Sequence, residues 1–297
     1  LLVANLDVNI FTDVATNAAN SDGSSNLDGT TPVVVVQANR DDLDGGDVTV
    51  AGSINAGRNI QINTGAAGPL DLVAVEQRDV VTVTGALTAA SRIDILTGGD
   101  KDTVILTDMT MSAPIMRVDG EAGEDFIQIR DGGAVTGALT LAGGVDSDRI
   151  EVIRLASHAA GASLTLDGGD AADEMMIQTW GSSAGAAAGI DYRIAISSAT
   201  DISPANGVDN LEILGVDDED NGDIFLSRAN FAALLHGTEN QIIGTEAGRP
   251  VTVERIDYDR SLNGRLTLAG LAGDDVFISD DNGTIMTMDG GLGDDRF

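Results

Sequence analysis

Pairs of aspartates and glutamates recur on glycine-rich turns along this chain, and a carboxylate repeated at fixed spacing is a metal-binding or acid–base group in waiting. The turns read Gly98-Gly99-Asp100-Lys101-Asp102, Gly120-Glu121-Ala122-Gly123-Glu124-Asp125, Gly143-Gly144-Val145-Asp146-Ser147-Asp148 and Gly168-Gly169-Asp170-Ala171-Ala172-Asp173. Two more follow: Gly270-Leu271-Ala272-Gly273-Asp274-Asp275 and Gly290-Gly291-Leu292-Gly293-Asp294-Asp295. The last aspartates of the first four turns are spaced 23, 23 and 25 residues apart. A period of that length marks a solenoid. Three further acids sit just before turns: Asp119, Asp167 and Asp289.

Stacking such turns creates an electrostatic problem. Neighbouring strands lie about 4.8 Å apart. Two like charges at that distance repel by roughly 0.9 kcal/mol in water and roughly 3.5 kcal/mol at an effective dielectric of 20. Cation capture relieves this at neutral pH, and calcium takes six to eight oxygen ligands, carboxylate and backbone carbonyl alike. The competing reading is that the turns are corner pieces, with glycine supplying positive φ and aspartate bonding local backbone.

The turns resemble the hemolysin-type calcium-binding nonapeptide of RTX proteins, Gly-Gly-x-Gly-x-Asp-x-apolar-x. Residues 290–297 match every available position, and the copies from Gly120, Gly143, Gly168 and Gly270 depart at one glycine each, at Glu121, Asp146, Ala171 and Leu271. The resemblance implies calcium held by Asp125, Asp148, Asp173, Asp275 and Asp295 together with turn carbonyls. Asp100, Asp102, Asp119, Glu124, Asp146, Asp167, Asp170, Asp274, Asp289 and Asp294 complete the candidate set around these turns. That family sets its nonapeptides in tandem, whereas here one occurs per coil. This spacing favours a wider parallel β-helix with its loop sites on one corner.

A second candidate is Asp217-Asp218-Glu219-Asp220-Asn221-Gly222-Asp223. Oxygen-bearing side chains at Asp217, Glu219, Asn221 and Asp223 partly match the opening of an EF-hand loop. Arg228 stands where that loop needs its closing Glu, and strands flank the segment, so a solitary calcium loop is expected rather than an EF-hand.

The elements that position these acids are short strands. Ile93-Asp94-Ile95, Met116-Arg117-Val118, Leu139-Thr140-Leu141 and Leu164-Thr165-Leu166 precede turns. Val104-Ile105-Leu106, Ile127-Gln128-Ile129, Ile150-Glu151-Val152 and Met175-Met176-Ile177 follow them. Alternation with a period of two suits strands with one buried face. The expected fold is all-β: one parallel β-helix, a solenoid over residues 1–297 with coils of about 20–25 residues. Irregular insertions are expected at about 181–210 and 227–264. The second should open with a short helix, capped by Ser227, faced by Phe231, Leu234 and Leu235, and ended by Gly237.

Composition narrows the function. The chain has 48 acidic against 16 basic residues, a formal net charge of −32. That excludes nucleic acid, which needs a basic footprint, and disfavours an anionic membrane. No apolar run reaches the roughly 20 residues of a membrane-spanning helix. Cysteine is absent, which rules out disulfides and thiolate chemistry. The start, Leu1-Leu2-Val3-Ala4-Asn5, lacks Met and a basic region, and residue 297 falls inside a repeat. A segment of a longer bacterial surface or extracellular protein is expected. The leading function is a calcium-stabilised structural element of an adhesin or fibre, assembling end to end with copies of itself or meeting cell-surface glycans. The alternatives are a polysaccharide-binding module and a polysaccharide-active β-helix enzyme. A lyase needs a proton-abstracting base, and Lys101 is the sole lysine. His158 and His236 are expected in ordinary surface or packing roles, and Trp180 in packing, with a carbohydrate contact as its alternative.

Overall fold

A computed structural model describes residues 2–3, 8–10, 14–16, 34–38, 46–64, 78–155, 157–158, 162–178, 193–196, 207–217, 219, 222–236, 254–259 and 261–297. Every regular element among them is a strand. Ten strands form one sheet in chain order, from Val8–Ile10 to Ile285–Asp289, and each neighbouring pair is parallel. A second sheet of 16 strands takes the segments between them. The chain alternates between the two sheets, laying one strand on the first and one or more on the second in each pass.

Sequence alternation explains the stacking. In the ten-stranded sheet, Val48, Val81, Val104, Ile127, Ile150, Met175, Leu211, Leu266 and Met286 fall in one register row. All but Met286 are buried. In the second sheet Ile60, Ile93, Met116, Leu139 and Leu164 form a corresponding row. Both rows belong to one hydrophobic cluster. Burying each such side chain is worth about 1.5–3 kcal/mol. Shifting a strand by one residue would turn its whole row outward, so this core fixes the register.

Corners come from breaks in alternation. Thr110–Ala122 pairs with Ala86–Ala89 through its first part and with Arg92–Leu96 through its second. The register slips between Ser112 and Ile115, where Pro114 removes a backbone donor. The Gly-Asp turns make a second corner. Its dihedral pattern is constant although its residues are not. The second turn position has positive φ in Gly98, Glu121, Gly144, Gly169, Leu271 and Gly291. The fourth does in Asp100, Gly123, Asp146, Ala171, Gly273 and Gly293. The four departures from the glycine motif thus keep the glycine conformation.

The expected short helix is absent. Asp223–Ala229 and Phe231–His236 are strands of an antiparallel hairpin, and Phe231–His236 pairs antiparallel with Glu254–Tyr258 on its other side. Residues Ala232 to Leu235 are all buried. The run Phe-Ala-Ala-Leu-Leu favours helix locally, but two flanking strands offer its backbone bonds on both sides, and tertiary pairing overrides propensity. Within the other insertion, Arg193–Ile196 continues the parallel stack on Ser163–Gly169. Most of the remaining insertion residues, with Gly237, Trp180 and Val251–Val253, lie outside the described residues.

Two outcomes test this corner. A methyl group on Gly143 would stand against Asp148 Oδ2 and 2.5 Å from the carbonyl oxygen of Gly168, whereas one on Gly99 would meet nothing within 4 Å. Gly143→Ala should therefore cost about 1–3 kcal/mol in denaturant unfolding, and Gly99→Ala well under 1 kcal/mol; equal losses would contradict the packing. Ala171 holds φ of 86°, a conformation costing an L-residue roughly 1–2 kcal/mol. Ala171→Gly should raise stability by about 0.5–1 kcal/mol after the entropy of glycine is counted; a lower melting temperature would argue against that backbone.

Candidate functional site

The last aspartate of each turn points along the stack, not out of it. Asp102 donates its backbone N–H to Asp125 Oδ1 at 2.7 Å, Asp125 to Asp148 Oδ1 at 2.8 Å, and Asp148 to Asp173 Oδ1 at 2.8 Å. The series extends downward through Asp79, which donates to Asp102 Oδ1 at 2.8 Å, and Gly46, which donates to Asp79 Oδ1 at 2.6 Å. Upward, Asp173 donates to Asp209 Oδ1 and Asp209 to Asn263 Oδ1, both at 3.0 Å. A second bond runs back between the same coils. The N–H of Phe126 reaches Asp102 O, that of Arg149 reaches Asp125 O, and that of Glu174 reaches Asp148 O, each at 2.9 Å. Each aspartate is thereby clasped twice to the next coil.

The later turns belong to a different column. Asp223 donates to Asp275 Oδ1 at 2.6 Å and Asp275 to Asp295 Oδ1 at 3.0 Å. Strand Asn210–Leu214 follows Asp209 and leads into Gly215 and the Asp223 turn, so the two columns stand at opposite ends of that strand. The acids therefore occupy two corners, where one was expected. Beside the second column the rings of Phe225, Phe277 and Phe297 stack with centroids 4.7 and 5.0 Å apart. That matches the spacing of parallel strands.

Asp223, the last residue of the acidic run 217–223, belongs to this second column. Its Oδ2 accepts the Val216 N–H at 2.6 Å. Asp223 is buried, Asp217 and Glu219 are exposed, and Asn221 lies outside the described residues. Of the expected calcium loop, the buried Asp223 thus differs in environment from the exposed Asp217 and Glu219.

The other candidate acids separate by position. Asp102, Asp125, Asp148, Asp173 and Asp275 are at most 4 % exposed, and Asp295 is half-buried. Glu124, Asp146, Asp170, Asp274 and Asp294 face solvent, and Asp100 is half-buried. Glu124 is ion-paired to Lys101, and Asp274 Oδ1 accepts the N–H of Asp294 at 2.9 Å. The acids before the turns form no column. Asp119 registers with Ala142, and Ala142 with Asp167, so an alanine separates the two carboxylates. Asp119 instead pairs with Arg117 at 2.6 Å. Asp289 is exposed and registers with Ala269.

In the column aspartates other than Asp223 one oxygen is committed to an amide of the neighbouring coil, and all of the columns' aspartates but Asp295 are buried. Among the described residues no three Asp, Glu or His side chains converge as a metal group would require. No side-chain shell of the six to eight oxygens that calcium takes is gathered among the described residues, so the column side chains do not by themselves fit a calcium site.

Sequence reasoning missed Asp79 and Asp209. Asp79 lies 23 residues before Asp102 and opens Val80-Val81-Thr82-Val83, but no Gly-Gly precedes it. Period and alternation could have found it. Asp209 lies 36 residues after Asp173, which hides it from a period search.

Burial, ahead of every other cause, lifts the carboxyl of Asp102, Asp125 and Asp148 to about 8, against the lowering effect of the amide bond and with a further push from neighbouring aspartates. Asp275 is raised to about 7 and Asp79 to about 6 for the same leading reason. An unfolded aspartate titrates near ~3.9. A folded value above the unfolded one means that stability is fully present below about pH 4 and is lost as pH rises through about 8. In chelator at constant ionic strength, the melting temperature should fall steadily between about pH 5 and pH 9; a flat or rising profile would overturn the burial of these acids.

No protein-family model, no curated protein and no solved structure matches this chain, which leaves the geometry of the two columns as the ground for its function.

Proposed function

We propose that this chain is a structural element: a closed parallel β-helix with coils of about 20–25 residues, forming a segment of a secreted or surface-displayed bacterial adhesin or fibre protein. The observation that carries this reading is the repetition of one inter-coil clasp. The same two bonds join coil after coil from Asp79 to Asp209. A scaffold that repeats one joint through its length is suited to spacing and display. Each coil contacts only its neighbours, so the array tolerates extension by further coils or by copies of itself.

Divalent cations enter this reading as counter-ions. The outward acids Glu124, Asp146, Asp170, Asp274 and Asp294 contribute to a net charge of −32. Self-repulsion of that size destabilises a compact chain, and calcium or magnesium relieves it by screening. Among the described residues no helix is long and apolar enough to cross a membrane.

Small-angle scattering with thermal melts tests the proposal. Ten stacked strands span roughly 45 Å along the stack, so scattering should give an elongated particle that lengthens along one axis as concentration rises. Calcium and magnesium at matched ionic strength should raise the melting temperature alike. A spherical particle would sink the β-helix, and stabilisation by calcium alone would sink the screening role.

A further inference from the structure

The misfit between the buried columns and calcium has its own explanation in the bonding around them. Asp125 Oδ2, Asp148 Oδ2 and Asp275 Oδ2 are buried without any hydrogen-bond partner. Each borders a backbone carbonyl of the following coil. A methyl group on Gly120 would touch Asp125 Oδ2 and lie 2.5 Å from Gly143 O; one on Gly143 would touch Asp148 Oδ2 and lie 2.5 Å from Gly168 O. On Gly270 it would touch Asp275 Oδ2 and lie 2.6 Å from Gly290 O. At each place two acceptors flank the space of a single methyl group, and the carboxylate oxygen is sealed from solvent. A proton on the carboxyl, a cation or a bridging water satisfies Oδ2 there, and leaving a buried polar atom unsatisfied is costly.

Two positions in the same column show how the chain meets this need with neutral groups. In the turn before Gly120 the first position is Thr97, and its hydroxyl donates to Gly120 O at 3.1 Å. There a side-chain O–H reaches the carbonyl equivalent to Gly143 O and Gly168 O. At the upper end of the column the acceptor of the Asp209 amide is a carboxamide. Asn263 Oδ1 takes that N–H at 3.0 Å while its Nδ2 donates to Gly207 O at 3.3 Å. One half of the group accepts from an amide and the other half donates to a carbonyl, with no charge involved.

We propose that Asp125, Asp148 and Asp275 serve as neutral carboxylic acids, Oδ1 accepting the amide of the preceding coil and Oδ2–H donating to the glycine carbonyl of the following coil, so that the columns hold without bound cations. Each acid then joins three successive coils. The carboxyl proton comes from water during folding and stays with Oδ2, so no further reactant is needed. Burial lifts these same groups toward neutrality, in agreement with the geometry.

The test is Asp→Asn substitution in the full chain, singly at Asp125 and together with Asp148→Asn. A carboxamide keeps the acceptor and supplies a fixed N–H donor, so the melting temperature at about pH 8 should be unchanged or raised by a few degrees, and its dependence on pH should flatten. The shift produced by calcium, and the calcium stoichiometry from calorimetry, should equal those of the unsubstituted protein. Asp125→Ala, which removes both bonds, should lower the melting temperature. Loss of calcium binding or of the calcium shift in the Asn variants would overturn the proposal. So would a fall in melting temperature as large as that of Asp125→Ala. Should the Asn variants fail to fold, infrared spectra of the unsubstituted protein carrying carboxyl-labelled aspartate decide. A carboxylic acid band persisting at pH 7 with and without calcium supports neutral acids; carboxylate bands alone, or loss of the acid band on adding calcium, refute them. These outcomes do not depend on particle shape, so the columns and the structural role stand or fall separately.

Discussion

A buried amide without an acceptor is the constraint from which this architecture follows. Within a sheet, parallel strands bond each other continuously. At a corner the chain turns away and that ladder is interrupted. The N–H of the turn's last residue is sealed inside, where an unmet donor costs about 1–3 kcal/mol. An aspartate one coil further on is short enough to accept from it without leaving the stack. The donor is the aspartate's own backbone, so the solution repeats itself. Each coil supplies the acceptor for the one before and presents the same demand to the one after. The first glycine of the turn follows from this arrangement. At Gly120, Gly143 and Gly270 the space a side chain would need is filled by the carboxylate and by the carbonyl of the next coil, and at Gly168 by the Asp173 side chain.

Burial sets the second half of the problem. A carboxylate that accepts a backbone N–H is ordinarily held in its charged form. Here desolvation outweighs that effect at Asp102, Asp125 and Asp148, and neighbouring aspartates add to it. The acid residues of one turn are thus driven into two populations. Glu124 and Asp125 are adjacent in sequence, yet one is solvated and paired with Lys101 while the other is sealed in the column. A net charge of −32 therefore overstates what the interior carries and describes the outer rim more closely.

The strand rhythm was legible because two signals coincide: alternation with a period of two, and a Gly-Asp turn at near-constant spacing. Ile127, Ile129, Ile150 and Val152 fall inward as their alternation requires. The site was legible only in part. Spacing singles out the aspartates of the turns, but the residue type does not say whether a carboxylate faces solvent or the next amide. That choice depends on the path of the neighbouring coil. Nor does the motif say which corner it occupies. Gly168–Asp173 and Gly270–Asp275 read alike, yet one turn precedes a strand of the ten-stranded sheet and the other follows one. Asp223 was hidden in an acidic run whose composition imitates a metal loop, although its bonding is that of a corner aspartate. The Phe231–Leu235 run was misread because helix propensity is a local quantity and the strands that capture it lie elsewhere in sequence.

The motif's own degeneracy can be derived from the clasp. A left-handed backbone costs an L-residue roughly 1–2 kcal/mol, and such strain persists only where surroundings over-determine it. Glu121, Asp146, Ala171 and Leu271 all carry it. Each sits inside a turn whose two ends are pinned by the bonds of the column, so losing a glycine there raises the energy of the turn without changing its path. Losing the aspartate removes the pin itself. The chain accordingly varies its glycines from turn to turn. It departs from aspartate in the first column only at that column's ends. One departure is Asn263, which preserves the acceptor. The other is Gly46, where the column has no preceding amide to receive among the described residues.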